Sequence, residues 1–317
     1  MGQRIAGFPD TVIITEVGPR DGLQSEAEFI PTAQKIALIQ SLLDAGLRRF
    51  EITSFVSPRA VPQMRDAAEV MAAFRDRDDA HLTALVPNLR GASAAIEAGV
   101  DAMVLFASAS ESHNRKNVNR SRAESLAGFA EIARLAEGSG TALQGAIATA
   151  FGCPFEGDVA LSAVLDQAKA YRDLGMTHIT LGDTTGMATP ALVIDWVQAL
   201  AEALPGVEFA LHFHNTRGVG LACAYAGLSQ GVRHYESSIG GLGGCPFVPR
   251  ATGNVATEDL AYFLEESGVE TGTDLDRLIE AAALAEHLVG RELPGQIMKA
   301  GPRLKTASMD SVRTANG

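Results

Sequence analysis

His212 and His214 stand two residues apart in Phe209-Ala210-Leu211-His212-Phe213-His214-Asn215. On an extended strand that spacing turns both imidazoles to the same face. Two neutral imidazoles side by side can share one divalent cation; the structural alternative is a pair of core histidines bonded to carbonyls. Far upstream, Glu16-Val17-Gly18-Pro19-Arg20-Asp21-Gly22-Leu23-Gln24 sets a permanent cation directly before a carboxylate. Asn254 offers an amide oxygen from a later loop. An aspartate, two imidazoles, an amide oxygen and water form a mixed oxygen and nitrogen set. That set suits Mg2+ or Mn2+, with Zn2+ or Fe2+ also open, while the lack of thiolate disfavours a structural zinc.

Other reactive residues each carry two readings. Arg20 can form a rim ion pair with Glu16 or Glu51, or aim its charge at an enolate forming beside the metal. The two are compatible, because Glu51 could orient the guanidinium. Asp183, in Leu181-Gly182-Asp183-Thr184-Thr185-Gly186, is a second catalytic carboxylate or a residue that caps the next helix. Cys245 follows Gly240-Gly241-Leu242-Gly243-Gly244, and a glycine-rich loop can present a thiol and fold over a ligand. Cys153, in Phe151-Gly152-Cys153-Pro154, has no reactive companion, and Cys223 lies in an apolar helical stretch. The segment Glu111–Arg122, read as a basic loop, carries Arg115, Lys116, Asn117, Arg120 and Arg122. It can clamp phosphates or stay solvated. Arg115, Lys116 and Asn117 are its substrate-binding candidates, and Gln24 beside Asp21 is another.

These residues need elements to bring them together. Short apolar runs predict strands at Thr11–Val17, Arg48–Thr53, Leu82–Val86, Asp101–Ala107, Leu143–Thr149, Thr177–Gly182, Glu208–His214 and Arg233–Ile239. Between them, apolar residues recur at three and four, predicting helices such as Thr32–Ala45, Ser121–Glu137, Val159–Leu174 and Pro190–Ala203. Eight such units fit an α/β fold, the (β/α)8 TIM barrel of roughly 250 residues. An open doubly wound sheet is the alternative, but no GxGxxG follows the first strand. In a barrel the eighth strand closes on the first, so the ends of strands seven, eight and one become neighbours. Asp21 and Asn254 then come within reach of the histidine pair, at the end where barrel chemistry sits. Residues 1–272 form the expected catalytic barrel. Residues 273–317 form a short helical extension, Leu275–Val289 and a weaker turn near Gln296–Ala300, followed by a polar tail after Lys305 that is expected to be disordered.

Composition excludes several classes. With 38 acidic against 26 basic side chains the net charge is −12, which repels nucleic acid and anionic membrane. Aromatics make up only 6%, too few for a base-stacking platform. Three widely spaced cysteines make no CxxC pair, so neither a disulfide framework nor a structural zinc is expected, and a reducing cytoplasm fits. The first residues have no secretory signal pattern, and no apolar run approaches the roughly 18–20 residues of a membrane span.

The segments TEVGPRDGLQSE, EITSFVSPRAVPQM, LGDTTG, HFHNTRG and GGLGGCPFVPRATGNVATEDL closely resemble the hydroxymethylglutaryl-CoA lyase family, within the metal-dependent TIM-barrel lyases and synthases. The similarity runs from about Thr11 to Gly272. It implies a divalent metal on Asp21, His212 and His214, with Asn254 in or beside the shell. It implies that Arg20 stabilises an enolate, that Cys245 protonates it, that Glu51 supports Arg20, and that Asp183 and Thr180 lie near the substrate. The expected reaction is a retro-Claisen cleavage of an acyl-CoA, with His212 or Asp21 as base, in a chain expected to form a homodimer. Two departures stand out. The second histidine is followed by Asn215-Thr216-Arg217-Gly218, where these lyases usually have Asp-Thr-Tyr-Gly. Cys245 is followed by Pro246-Phe247-Val248-Pro249-Arg250, where tyrosine and small residues are usual. Arg217 and Arg250 add cations near the mouth and leave the C3 substituent of the substrate open. A condensing synthase of the same fold would carry RDGEQ in place of RDGLQ and a regulatory domain; a non-catalytic metal- and CoA-binding barrel is the rival of another class.

Overall fold

All eight expected strands form, each within two residues of its expected ends. In the computed structural model, which describes residues 5–244 and 252–306, they close into one parallel barrel in chain order. The strands are β1 (Ile13–Glu16), β2 (Arg49–Ser54), β3 (His81–Leu85), β4 (Ala102–Ser108), β5 (Ala142–Ala148), β6 (His178–Asp183), β7 (Glu208–Phe213) and β8 (His234–Ser237). Closure is made by β8 against β1, in register from Ile13 opposite His234 to Glu16 opposite Ser237.

Alternation along each strand sorts its residues. Ile14, Phe50, Ile52, Ile179, Leu181, Leu211 and Tyr235 are buried under the surrounding helices. Residues of the other parity face the barrel axis, and many are polar: Thr15, Arg49, Glu51, Gln144, His178 and Glu236 line one internal cavity. Barrel interiors are more often filled by branched aliphatic side chains. The polar axis here is therefore a feature of this sequence, and it runs from one rim to the other.

Around the strands lie α1 (Thr32–Asp44), α2 (Ala67–Ala72), α3 (Leu89–Ala98), α4 (Glu111–Val118), α5 (Arg122–Ala136), α6 (Leu161–Asp173), α7 (Pro190–Ala203) and α8 (Gly220–Ser229). Start signals are local: Ser121 and Glu124 form a reciprocal capping box on α5, and Thr189 caps α7 just before Pro190. The segment expected to be a basic loop after β4 is instead the helix α4 and a short turn. Three contacts make it helical. Ser110 accepts from the His113 amide, Arg115 pairs with Glu111 one turn away at 2.8 Å, and Asn119 closes the end at φ 54°. Buried Asn114 then ties the turn to Arg120 and Ser125.

After the barrel come α9 (Thr257–Glu266), α10 (Leu275–Val289) and α11 (Ile297–Ala300). Helix α10 packs on α1, on α9 and on the 3-10 turn Ile239–Gly241 that follows β8. Leu293 covers Gly240, whose carbonyl accepts from the Gly295 amide, and Asp259 accepts from the Gln296 and Ile297 amides. The extension thus braces the turn leading toward Cys245. Cys245, Arg250 and the tail from residue 307 lie outside the described residues. Among the described residues, no helix is long and apolar enough to cross a membrane.

Candidate active site

At the C-terminal end of β1 the chain tightens into a single π-helical turn, Gly18–Gly22. The amides of Arg20, Asp21 and Gly22 all converge on the Val17 carbonyl, at 3.1, 2.7 and 3.3 Å. Turns of this kind recur at functional sites because they re-aim consecutive side chains. Here they aim Arg20 and Asp21 over the barrel mouth. Glu16 fastens the turn from behind, accepting from the amides of Gly18 and Ile239 and from the Thr257 hydroxyl, at 2.8, 2.9 and 2.7 Å. Burial pushes its carboxyl up to about 7 even so. Glu16 therefore does not pair with Arg20, contrary to one of the two sequence expectations. Strand alternation is the reason: Glu16 faces outward and Glu51 inward.

Arg20 reaches Asp21 Oδ1 at 2.6 Å with one nitrogen and Glu51 Oε2 with the other. Burial works against this cation, but Glu51 and Asp21 outweigh it and raise its proton affinity above the ordinary arginine value. Glu51 sits beside a bulge in β2, where the register against β3 shifts between Glu51 and Thr53. Burial raises its carboxyl to about 7, against the lowering pull of Arg20.

Asp21, His212 and His214 offer one donor atom each, all within 4.8 Å of one another. Both histidines face inward with ring centroids 5.3 Å apart. His214 lies just past β7 and forms a bridge with Asn254. That bridge, with the Val255 amide on the Phe213 carbonyl at 3.0 Å, delivers Asn254 to the cluster. Asn254 Nδ2 donates to Asp21 Oδ2 at 2.9 Å and to the Leu242 carbonyl at 3.0 Å. A Cβ on Gly243, at φ 116°, would stand 2.7 Å from that same nitrogen, so glycine is required there. Asn254 Oδ1 and His214 Nδ1 are buried without a hydrogen-bond partner. Orphaned buried polar atoms are rare and costly. A divalent cation held among Asp21, His212, His214 and Asn254 accounts for them, and the donor set fits one.

Charge at the cluster favours cation binding. Burial alone would raise Asp21, but Arg20 and the two histidines hold it at about 2, so it is a carboxylate at neutral pH. Burial and the neighbouring His212 push His214 down to about 4, so it is neutral with a free lone pair. His212 Nδ1 lies 3.0 Å from Glu236 Oε2, which leaves Nε2 for the site. Burial would lower His212, yet the Glu236 bond and charge raise it. The other oxygen of Glu236 accepts from Thr180 Oγ1 at 2.6 Å. A carboxylate that orients a ligating imidazole is a recurrent feature of metal sites. The sequence reading overlooked Glu236; its signal was the inward parity of His234 and Glu236 on the strand between the two ligand-bearing ends.

The chain matches the HMGL-like family over residues 11–285, most of its length. It belongs to the HMGL-like family. A hydroxymethylglutaryl-CoA lyase from Bacillus subtilis is 42% identical over 91% of this chain and 97% of its own. An (R)-citramalyl-CoA lyase from Chloroflexus aurantiacus is also 42% identical, over 92% of this chain and 96% of its own. Among solved structures, an HMG-CoA lyase from Acinetobacter baumannii, in complex with coenzyme A and 3-methylmalate, superposes with a TM-score of 0.91 at 42% identity. That match covers 96% of this chain and all of the other.

The remaining candidates divide by position. Gln24 donates to Asp21 Oδ1 at 3.1 Å and is thus tied to the cluster. Asp183 Oδ1 accepts from the Met187 and Ala188 amides at 2.6 and 3.0 Å, so it closes the turn after β6 while Thr189 caps α7. Burial raises Asp183 to about 6 against those bonds. Arg217 is exposed and pinned to the turn after β6, its Nη1 donating to the Thr185 and Gly186 carbonyls at 3.0 and 2.6 Å. Arg115, Lys116 and Asn117 are exposed on α4, and Arg115 is engaged with Glu111. Cys153 is buried, with Sγ 2.9 Å from Ser110 Oγ, and Cys223 is buried in α8 with its thiol pushed up to about 12. Neither thiol is exposed.

Proposed function

We propose that this member of the HMGL-like family is a metal-dependent carbon–carbon lyase. Its substrate is 3-hydroxy-3-methylglutaryl-CoA or a close 3-alkyl analogue, cleaved to acetyl-CoA and, for the methyl compound, acetoacetate. The observation that carries this reading is the cluster of Asp21, His212 and His214 directly against the Arg20–Glu51 pair. Identity above 40% with lyases that act on two related acyl-CoA compounds supports the reaction type.

We assign the cation to Asp21, His212 and His214, with Asn254 in or beside its shell; Mg2+ or Mn2+ would suit this mixed oxygen and nitrogen set. When bound, it supplies Lewis-acid polarisation of the substrate oxygens. Everything else falls to the protein. The C3 hydroxyl proton needs an acceptor, and Asp21, held at about 2, has little proton affinity. His212, raised by Glu236, is the stronger base. Its Nε2 is the nitrogen left facing the site, and that atom would either hold the cation or take the proton. As the C2–C3 bond breaks, its electron pair passes into the thioester enolate, and Arg20 offsets that charge without reorganising because Asp21 and Glu51 already hold it. Cys245 is the proposed donor of the proton to the enolate carbon. Gln24 and Thr180 hold Asp21 and Glu236 in place, and Asp183 shapes the adjacent turn. Arg115, Lys116 and Asn117 are proposed to meet the CoA phosphates from α4.

A panel of 3-hydroxy-3-alkylglutaryl-CoA esters and citramalyl-CoA, followed by acetyl-CoA release, tests the reading. The methylglutaryl ester should give the highest kcat/KM. Release from none of them would remove the lyase assignment, and preference for citramalyl-CoA would move the substrate while keeping the chemistry.

A further inference from the structure

The opposite rim carries a second cluster that the reaction does not use. His178 opens β6, Glu208 opens β7 and His234 opens β8, so all three lie at the N-terminal end of the barrel. Register sets His178 beside Glu208 and places His234 opposite Ala210, two residues along the same inward face. His178 Nδ1 and His234 Nε2 lie 3.7 Å from one and the same oxygen, Glu208 Oε2. That is too long for a hydrogen bond. One donor atom from each residue lies within 4.8 Å of the others. The two rings meet edge to face, with centroids 5.0 Å apart.

Three observations point to a bound cation. Nδ1 of His178, the atom that faces Glu208, is buried without a hydrogen-bond partner, and Nε2 of His234 faces the same oxygen from the other side. Burial keeps both imidazoles neutral near pH 7, His234 at about 4, so their lone pairs are available. The spacing is also nearly right: two ligands about 2.05 Å from a tetrahedral zinc stand roughly 3.4 Å apart. The 3.7 Å edges need a contraction of a few tenths of an ångström, and Glu208, 66% exposed, is free to make it. Arg49 opposes a cation here, whereas Glu208 and Glu236 favour one.

We propose that His178, Glu208 and His234 form a second metal site that takes a borderline divalent cation, Zn2+ foremost, and staples the starts of β6, β7 and β8. Two imidazoles and a carboxylate with a fourth position open to water are a recurrent zinc set, whereas Mg2+ prefers an all-oxygen shell. Its three residues open three neighbouring strands and take no part in the proposed reaction, so its role is to hold strands.

The test is zinc stoichiometry on the full chain after exhaustive chelation, by equilibrium dialysis and elemental analysis. Co2+ visible spectra serve as the readout of four-coordination. Wild type should retain two equivalents. The Asp21→Ala/His214→Ala double variant should retain one, with the Co2+ bands of a four-coordinate nitrogen and oxygen site and a higher Tm when loaded. His234→Ala should lose that equivalent yet keep kcat with Mg2+. Because His234→Ala removes a packed ring, Glu208→Gln serves as the surface variant that preserves the fold. It should weaken zinc at least about tenfold, the lower end of what losing even an outer partner costs a metal site. No zinc on the Asp21→Ala/His214→Ala chain would overturn the proposal. So would zinc retention on that chain that neither His234→Ala nor Glu208→Gln reduces.

Discussion

At the C-terminal rim two histidines and an aspartate converge, from the ends of β7 and β1; at the N-terminal rim two histidines and a glutamate converge, from the starts of β6, β7 and β8. The ligand types nearly match, but their surroundings differ. At the C-terminal rim two of the three donors are held by neighbours: His212 by Glu236, and Asp21 by Arg20, Gln24 and Asn254. At the N-terminal rim neither imidazole has an orienting bond, and the carboxylate is largely in solvent. The contrast separates what binding needs from what chemistry needs. Three donors within reach are enough to hold a cation. Turnover also calls for a buried counter-charge and a fixed imidazole tautomer.

The largest expected effect comes from erasing the catalytic ligands. Asp21→Ala or His214→Ala should abolish turnover and Mg2+ binding there, while the N-terminal cluster keeps its zinc. Turnover retained by either variant would collapse the distinction between the two ends. Arg20→Gln comes next. Its charge matters mainly as the enolate forms, so kcat should fall on the order of 10²–10³-fold with little change in KM. A Michaelis analysis in which only KM rises would make Arg20 a binding residue instead.

Glu236→Gln sharpens the comparison, because it strips His212 of its charged partner and leaves every donor in place. Metal affinity or activity should drop about 10- to 100-fold, the usual consequence of losing an orienting partner. The pH profile of kcat should also lose its His212 limb, a readout that mere loosening of the fold would not give. An unchanged profile would place the base elsewhere.

A smaller effect lies behind the C-terminal rim. Burial raises Glu258 to about 8, where its Oε2 accepts from the Gly240 amide at 2.9 Å. The folded chain then binds more protons than the unfolded one between about pH 4.5 and 8. Stability from this group is full below that window and falls as pH rises through it. Glu258→Gln should flatten that slope in Tm measured across the window; a slope unchanged from wild type would show that the carboxyl is already ionised there.

The barrel and most of the proposed metal cluster were legible because both follow from periodicity. Alternating apolar runs mark the strands, HxH fixes a face, and closure in chain order makes β7, β8 and β1 neighbours. Glu236 escaped because a single inward glutamate has no spacing partner that signals chemistry; only the 3.0 Å contact with His212 reveals its duty. Of the two partners the sequence offered Arg20, Glu51 is the one that pairs, because strand parity turns Glu51 inward and Glu16 outward. Helix α4 was missed because its polar sequence has no apolar stripe; Ser110, Asn114 and Asn119 specify it through caps and buried bonds. The N-terminal cluster joins residues 178, 208 and 234, each ordinary in its own segment, and becomes visible only in register.

The measurement closest to the central claim is acetyl-CoA release from 3-hydroxy-3-methylglutaryl-CoA by chelated enzyme, before and after Mg2+ or Mn2+ is restored, with metal content counted in parallel. The account predicts negligible release from the metal-free chain and recovery with about one equivalent of Mg2+ or Mn2+ at the Asp21, His212 and His214 cluster. Full turnover with metal content well below enzyme concentration would contradict it.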